Sequence, residues 1–462
     1  MSGRILRTEL HRSVAPLTVV LGLFLGIGVP LLFRDGVELA QWNQLAGYQR
    51  GVLEYLCPLA LGAGAWQGRR DHRSNMIELL TTTPRPGWQR VLPSAAALAI
   101  ALLIGYLAVF LTQVGGVDSS YLHFGWIPTV LVGVVALLAA GLLGQGIGRA
   151  APSVLTAPLL VIAPLFGLAA TRGLLELAPD VTGWSFVEAT KLLVPNVPGG
   201  GRTFDDVAGS VHLGQAIWFA ALAATGLALA AAATRRARLG ALLPLGLGLV
   251  VALPILPQGM AAVYVHDQAS TEQICTPDLP RVCVTRAHAA ALDGLTGPGR
   301  EALRLLATLP DPPTSVAEDW HDPSYQAPVK PQPLGVLLIH FSTYLDLDAR
   351  SRVKRDKDEL LGQLLEGAGT TPCAVGLSDM SQEEQTFSRK EKTARLLAAR
   401  VLSPALPPVK PPYSMEDVSN NAWALLQTLP VEERQRRGAA LRAAALSCRG
   451  DLMDILTTGG TR

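Results

Sequence analysis

One carboxylate of this chain lies well inside an apolar run: Glu54, within Gly51–Gly68. An ionisable side chain in that setting is a functional candidate by default. Arg50 stands four residues earlier, a spacing that puts both on one helical face. A headgroup-level ion pair is therefore the preferred explanation of Glu54. Gln113, near the end of the third apolar run, and Gln145, in the fourth, are candidates for interhelical hydrogen bonds. Farther on, Glu318, Asp319, His321 and Asp322 form the polar group EDWHD. A metal or catalytic site could be built there, and a solvated loop is the preferred reading. His288 and His340 are distant in sequence. No GxxxxGK[ST] is present, which excludes nucleotide binding through a P-loop; Gly199–Arg202 lacks the lysine. HExxH and GxSxG are absent too. No catalytic, cofactor-binding or metal residue is assigned, and no cofactor is expected.

These residues need a membrane to position them. Charged residues are 16% of the 462, against roughly a quarter in soluble proteins, and they are sparse before residue 266. The net charge of +2 gives no argument for nucleic acid. A bilayer core of roughly 30 Å requires about 20 apolar residues in helix. Seven runs fit: Ser13–Phe33, Gly51–Gly68, Val91–Val117, Trp126–Gly148, Ala150–Thr171, one within Val207–Thr234 and one within Leu239–Val265. The first is too long for a cleavable signal peptide and reads as a signal anchor. No lipidation motif is visible.

Alternate connections carry arginines: Arg4, Arg7 and Arg12; Arg69, Arg70, Arg73, Arg85 and Arg90; Arg149; Arg235, Arg236 and Arg238. The others are acidic or neutral, as at Asp35, Glu38, Asp118, Asp205 and Asp206. The basic set should face the cytoplasm. That puts the N-terminus inside, and seven spans put residues 266–462 outside the plasma membrane. The cysteines bear on the same point. Cys57 is in a span, whereas Cys275, Cys283, Cys373 and Cys448 all follow residue 266. An even set in an oxidising compartment reads as two disulfides, with three pairings open. Cys275–Cys283 with Cys373–Cys448 is preferred because the first pair is close in sequence. Free or metal-binding thiols are the alternative, without CxxC spacing to support a zinc site.

The expected fold is an all-α polytopic bundle of about seven transmembrane helices plus a mainly α, or α+β, soluble extracellular domain. Residues 1–12 form a cytoplasmic interfacial segment, or a frayed basic tail. Between the second and third spans lies Gln67–Arg90. Ser74 or Asn75 can cap a short helix there, with Glu78 in its first turn and Pro84 and Pro86 ending it. Met76, Ile77, Leu79 and Leu80 would be its apolar faces. About two turns cannot be stable alone, so this helix needs a partner surface. The outer connection Leu177–Gly214 should fold partly back onto the bundle. In the outer domain, helices are expected over His288–Leu309 (interrupted near Gly297–Gly299), Asp346–Glu366, Ser381–Leu402, Met415–Leu429 and Val431–Cys448. A strand is expected over Leu334–Phe341.

This layout resembles the permease subunits of type-2 ABC exporters. The run RRDHRSNMIELLTTTPRPGWQRV (Arg69–Val91) is most similar, with an arginine-rich turn, then E-L-L, then T-P before the third span. The basic segment before the first span and the long outer stretch Leu177–Gly214 are similar too. The Ala-, Gly-, Arg- and Pro-rich composition resembles that of high-GC actinobacteria. The resemblance covers roughly residues 1–235 and marks 13–235 as a six-span permease-like domain. The seventh span, 239–265, and the extracellular domain, 266–462, depart from the family pattern. The resemblance implies a separate ABC ATPase subunit that seats the loop 68–90 as a coupling helix. The ATPase would seat Ile77–Thr83 (Leu79 and Thr83 included) in a surface groove, Met76, Ile77 and Leu80 would anchor the contact, and Glu78 or Arg73 would set its register. It also implies a second permease chain, as a homodimer or with a related permease. ATP hydrolysis would belong to the partner, so the chain itself is not read as an enzyme.

Two other function classes compete. A membrane-anchored sensor or binding protein would use the extracellular domain, but the inner connections hold no output module. A membrane-embedded enzyme would need several intramembrane carboxylates and histidines, and Glu54 alone qualifies.

Overall fold

The computed structural model describes residues 8–10, 14–28, 41–73, 86–117, 121–177, 190–196, 202–259, 262–320, 333–341, 347–348, 351–372, 382–407, 411–412 and 414–460. They form two compact units: residues 1–117 with 122–267, and residues 118–121 with 268–462.

The first unit is a helical bundle. Its helices are α1 (Ala15–Leu23, continued by a π-helical turn Phe24–Gly28), α2 (Trp42–Gly68), α3 (Gly87–Val114), α4 (Trp126–Ala150) and α5 (Thr156–Leu177). A short strand β1 (Asp205–Val207) precedes α6 (Gly209–Ala231). Then come α7 (Arg235–Gly240), α8 (Leu243–Ile255) and β2 (Tyr264–His266), which pairs antiparallel with β1. Helix α4 is central, packed between α2 and α6, while α5 lies on α2, α8 on α6 and α1 on α3.

Among the described residues, four helical stretches are long and apolar enough to cross a membrane: Gly87–Val114, Trp126–Ala150, Gly209–Ala231 and Arg235–Ile255. Pro16–Gly28 and Thr156–Gly167 are shorter apolar helices. Two boundaries differ from the sequence expectation. Helix α2 starts at Trp42, nine residues before the apolar run, because Asn43, Gln44, Gln49 and Arg50 are buried in partnered positions. The last apolar helix stops at Ile255, and Tyr264–His266 is strand.

The bundle closes through glycines. A Cβ on Gly144 would lie 2.1 Å from the Leu61 carbonyl oxygen, and one on Gly64 would lie 2.1 Å from that of Gly141. On the other side of α4, a Cβ on Gly146 would lie 2.3 Å from the Gly226 carbonyl of α6. Small residues at these crossings let backbones touch, which drives helix association where water is absent.

The second unit is α+β. A four-stranded sheet runs in the order β3 (Gln273–Cys275), β4 (Val282–Thr285), β5 (Ser315–Glu318), β6 (Val336–Ile339). Strands β3 and β4 are antiparallel, and β4, β5 and β6 are parallel. Helix α9 (Leu292–Leu306) makes the crossover from β4 to β5. Leu295, Ala302, Leu303 and Leu306 recur on one face and are buried with Val282, Val284, Val316, Leu337 and Ile339 of the sheet. Behind them pack α10 (Lys357–Leu365), α11 (Gln382–Leu402), α12 (Glu416–Thr428), α13 (Val431–Ser447) and α14 (Leu452–Thr458).

Several expectations for this unit are corrected. The chain at His288 is 3-10, and α9 runs unbroken through Pro298, with Gly299 packed close to Val282 and Val316. The helix expected from Asp346 begins only at Lys357, where the Asp356 side chain accepts the Glu359 N–H. Cys275 and Cys283 face each other across the β3–β4 hairpin and form a disulfide. Cys448 is disulfide-bonded as well, Cys57 is free, and Cys373 lies outside the described residues.

Candidate functional site

The polar side chains of α2 define a seam through the bundle. Arg50 is fully buried. Its guanidinium donates to Gln215 Oε1 of α6 at 2.6 Å and to the Thr129 carbonyl of α4 at 3.3 Å. Gly133 makes the room: a Cβ there would fall 2.3 Å from the Tyr106 hydroxyl and 3.3 Å from Arg50 Cδ. Gln49, beside it, donates to the Tyr106 carbonyl of α3 at 2.8 Å. Gln215 also donates to the Leu192 and Val194 carbonyls, at 2.9 and 3.3 Å.

Glu54 accepts from Asn196 Nδ2 at 2.7 Å. The expected Arg50–Glu54 pair does not form. Arg50 is drawn inward to neutral partners, and Glu54 turns to the segment 190–196. A buried guanidinium with only neutral partners is costly, so the site is a fixed positive charge in a polar socket. Of the connection Leu177–Gly214, the described residues 190–196 lie against the bundle here, through Leu192, Val194 and Asn196.

Toward the start of α2 the seam continues to an aspartate cluster. Asn43 Nδ2 donates to Asp206 Oδ1 at 2.9 Å, and His123 Nε2 stands 3.1 Å from the same oxygen. His266 Nδ1 stands 3.3 Å from Asp205 Oδ1. The Asp206 carboxylate lies against Gly125, the residue capping the N-terminus of α4, where the helix dipole favours negative charge. Partial burial opposes ionisation of Asp206. The hydrogen bonds from His123 and Asn43, with the field of His123 and His212, outweigh it and hold the carboxyl below its ordinary value.

At the opposite end of α2, Gln67 donates to the Ser94 carbonyl and Gln145 to Ser94 Oγ, each at 2.7 Å. Gln145 thus bonds across helices, whereas Gln113 is half-buried at the end of α3 and its side chain shows no such bond among the described residues. Arginines gather at this end. Arg69 donates to the Val154 carbonyl, Arg238 to the Ala150 carbonyl, and Arg70 pairs with Glu9 at 2.8 Å.

A groove of about 570 Å³ opens between α1, α2 and α5, walled by Leu17, Leu21, Leu59, Ala63, Pro158 and Val161, with Gln67 and Arg70 among its lining. Of the expected coupling helix, Arg73 is the last residue of a helical turn Arg70–Arg73. Met76, Ile77, Glu78, Leu79, Leu80 and Thr83 lie outside the described residues.

In the second unit, Glu318 ends strand β5 and is buried, not part of a solvated loop. Its carboxylate accepts the N–H and hydroxyl of Thr285, both at 2.8 Å, and pairs with His288 Nδ1 at 2.5 Å. Asp319 stands 3.9 Å from His340, and His321 and Asp322 lie outside the described residues. The alternation of β5 sends Glu318 inward and Asp319 to the other face, which separates what the sequence runs together. Among the described residues, no group of three or more His, Cys, Asp or Glu side chains could hold a metal ion.

Sequence reasoning flagged Glu54 and Gln145. It missed the socket of Arg50, Gln215 and Thr129 and the aspartate cluster. Gln215 inside an otherwise apolar run was the available signal. No family model, no curated protein and no solved structure matches this chain.

Proposed function

We propose that this chain is the permease subunit of an ABC exporter, seated in the plasma membrane with seven spans and with residues 266–462 outside. The reading takes α1 to α6 as the six permease spans and α7–α8 as the seventh. It is supported above all by the polarity of the bundle's ends. Arg69, Arg70 and Arg238 meet at one end, and Asp205, Asp206, His123 and His266 at the other. Short arginine-bearing connections stay cytoplasmic. The Arg70–Glu9 pair also holds residues 8–10 beside the start of the loop 68–90, so both would meet an ATPase docked at that face.

In this mechanism the partner ATPases close on ATP and push the loop, and α2 and α3 carry the movement into the bundle. The seam along α2 then sits where a moving span would make and break contacts with α4 and α6. A second permease chain completes the pathway.

The test is affinity purification of the tagged full-length chain from mild detergent, with mass spectrometry of its companions. A stoichiometric ABC ATPase is expected, and Ile77→Asp with Leu80→Asp should remove it while the chain stays folded. A folded, oligomeric chain that brings down no ATPase sinks the proposal.

A further inference from the structure

The groove between α1, α2 and α5 is a built cavity of the bundle, and the permease mechanism above makes no use of it. Its volume of about 570 Å³ falls in the range of ligand sites, roughly 300–1,000 Å³. The walls are aliphatic for most of their length. Gly62 sets the depth: a Cβ there would lie 2.3 Å from Val161 Cγ2, so any side chain would displace the α5 wall.

Polarity is confined to one end. Gln67 is 5% exposed; its Nε2 is used by the Ser94 carbonyl, and its Oε1 has no hydrogen-bond partner. A buried acceptor in that state is a standing cost that a ligand donor would remove. One turn on, Arg70 pairs with Glu9 while 43% exposed. Trp66, 46% exposed, carries the Arg69 guanidinium 5.6 Å from its ring centre. Tryptophan and arginine together at the end of an apolar helix mark headgroup depth.

We propose that this groove holds an anionic phospholipid of the bilayer, its acyl chain along α1, α2 and α5 and its phosphate on Arg70. The aliphatic walls fit a chain and exclude a polar ligand. The cation at the mouth selects an anionic headgroup, since guanidinium and phosphate form paired, charge-assisted hydrogen bonds. A hydroxyl or ammonium of the headgroup would supply the donor for Gln67 Oε1. Glu9 occupies Arg70 when no lipid is present. That bridge is exposed and weak, so a phosphate displaces it and releases Glu9 from Arg70. Lipid binding would thereby be coupled to the position of Glu9. The inference requires membrane embedding only, and stands or falls separately from ATPase association.

The experiment uses the full-length chain, delipidated in detergent and reconstituted in nanodiscs of phosphatidylcholine with a minor fraction of phosphatidylglycerol. Native mass spectrometry then counts the lipids each chain retains. Wild type should retain phosphatidylglycerol in preference to phosphatidylcholine. Arg70→Gln should weaken that preference about tenfold, the scale of one charge-assisted hydrogen bond, and Arg70→Lys should keep part of it. Glu9→Gln should raise retention by removing the competitor, a gain that misfolding cannot imitate. Ala63→Phe, which fills the groove, should lower retention of both lipids. Equal retention of the two lipids by wild type would overturn the proposal. So would an unchanged Glu9→Gln variant, or an Ala63→Phe variant that alters only the oligomeric state, which would make the groove a contact between copies of the chain.

Discussion

In the first unit α4 meets α2 and α6 through Gly64, Gly144, Gly146 and Gly226, whereas in the second unit α9 meets its sheet through Leu295, Leu303 and Leu306. The two surfaces answer to two solvents. Leucines in water gain by leaving it, at roughly 25 cal/mol per Å² of apolar surface. Between helices in lipid that gain vanishes, and what remains is close approach of backbones. The units also bury charge differently. Arg395 and Arg442 of the second unit grip backbone carbonyls at the left-handed turn Gly367–Ala368–Gly369, and burial pulls their pKa values down. Arg395 keeps Glu391 within 4.0 Å. Arg50 of the bundle has an amide and a carbonyl instead.

The sharpest way to break this contrast is to exchange the packing rules. Gly144→Leu should abolish the α2–α4 contact, because even a Cβ would collide with the Leu61 backbone. Loss of a monodisperse peak on size exclusion in detergent is the expected outcome, and a normal peak would show that the crossing can open. The matched change in the second unit, Leu306→Ala, should cost about 2–5 kcal/mol and leave the bundle intact by limited proteolysis.

Buried arginines come next. Arg395→Met should cost about 2–3 kcal/mol, since it orphans the Thr370 carbonyl beside a strained turn. Arg50→Met should cost only about 1 kcal/mol in thermal unfolding. Leaving Gln215 Oε1 unpaired is largely offset by no longer burying a charge among neutral groups. Under the proposed permease function, transport should nonetheless fall. If Arg50→Met melted far below wild type, Arg50 would be a structural strut and not a charge kept for function.

The helices α3, α4 and α6 were legible in the sequence because each is a long, nearly uniform apolar run. The first half of α2 was not. Asn43, Gln44, Gln49 and Arg50 look like a loop until their partners on other elements are known, and those partners are up to 165 residues away. Gln145 was legible as a polar residue in an apolar run, yet nothing local distinguished it from Gln113, which finds no interhelical partner among the described residues. In the second unit, strands of three or four residues are too short to show a period, so β3, β4 and β5 were missed. The Cys275–Cys283 spacing was the one sign of that hairpin. Glu318 and Asp319 read as one acidic group because alternation across a sheet is visible only once the strand is known.

The smallest expected effect concerns the clasp at Asp206, which joins α2, the N-terminus of α4 and β1 through Asn43, Gly125 and His123. Its folded pKa is lowered, so it stabilises the fold at pH values above the ordinary carboxylate range. That stability drains away as pH falls through the folded value. Asp206 is 28% exposed, and solvent screening keeps the contribution small. Asp206→Asn should therefore melt slightly below wild type at pH 7, with the gap closing below about pH 4, where an unfolded-state aspartate also takes up its proton. No comparable closing is expected for Arg50→Met, since neither of its partners, an amide and a carbonyl, titrates there. A gap for Asp206→Asn that stayed constant from pH 7 to pH 3 would mean that the clasp works by shape and not by charge. The contrast between a titrating rim and a fixed internal cation would then lose its basis.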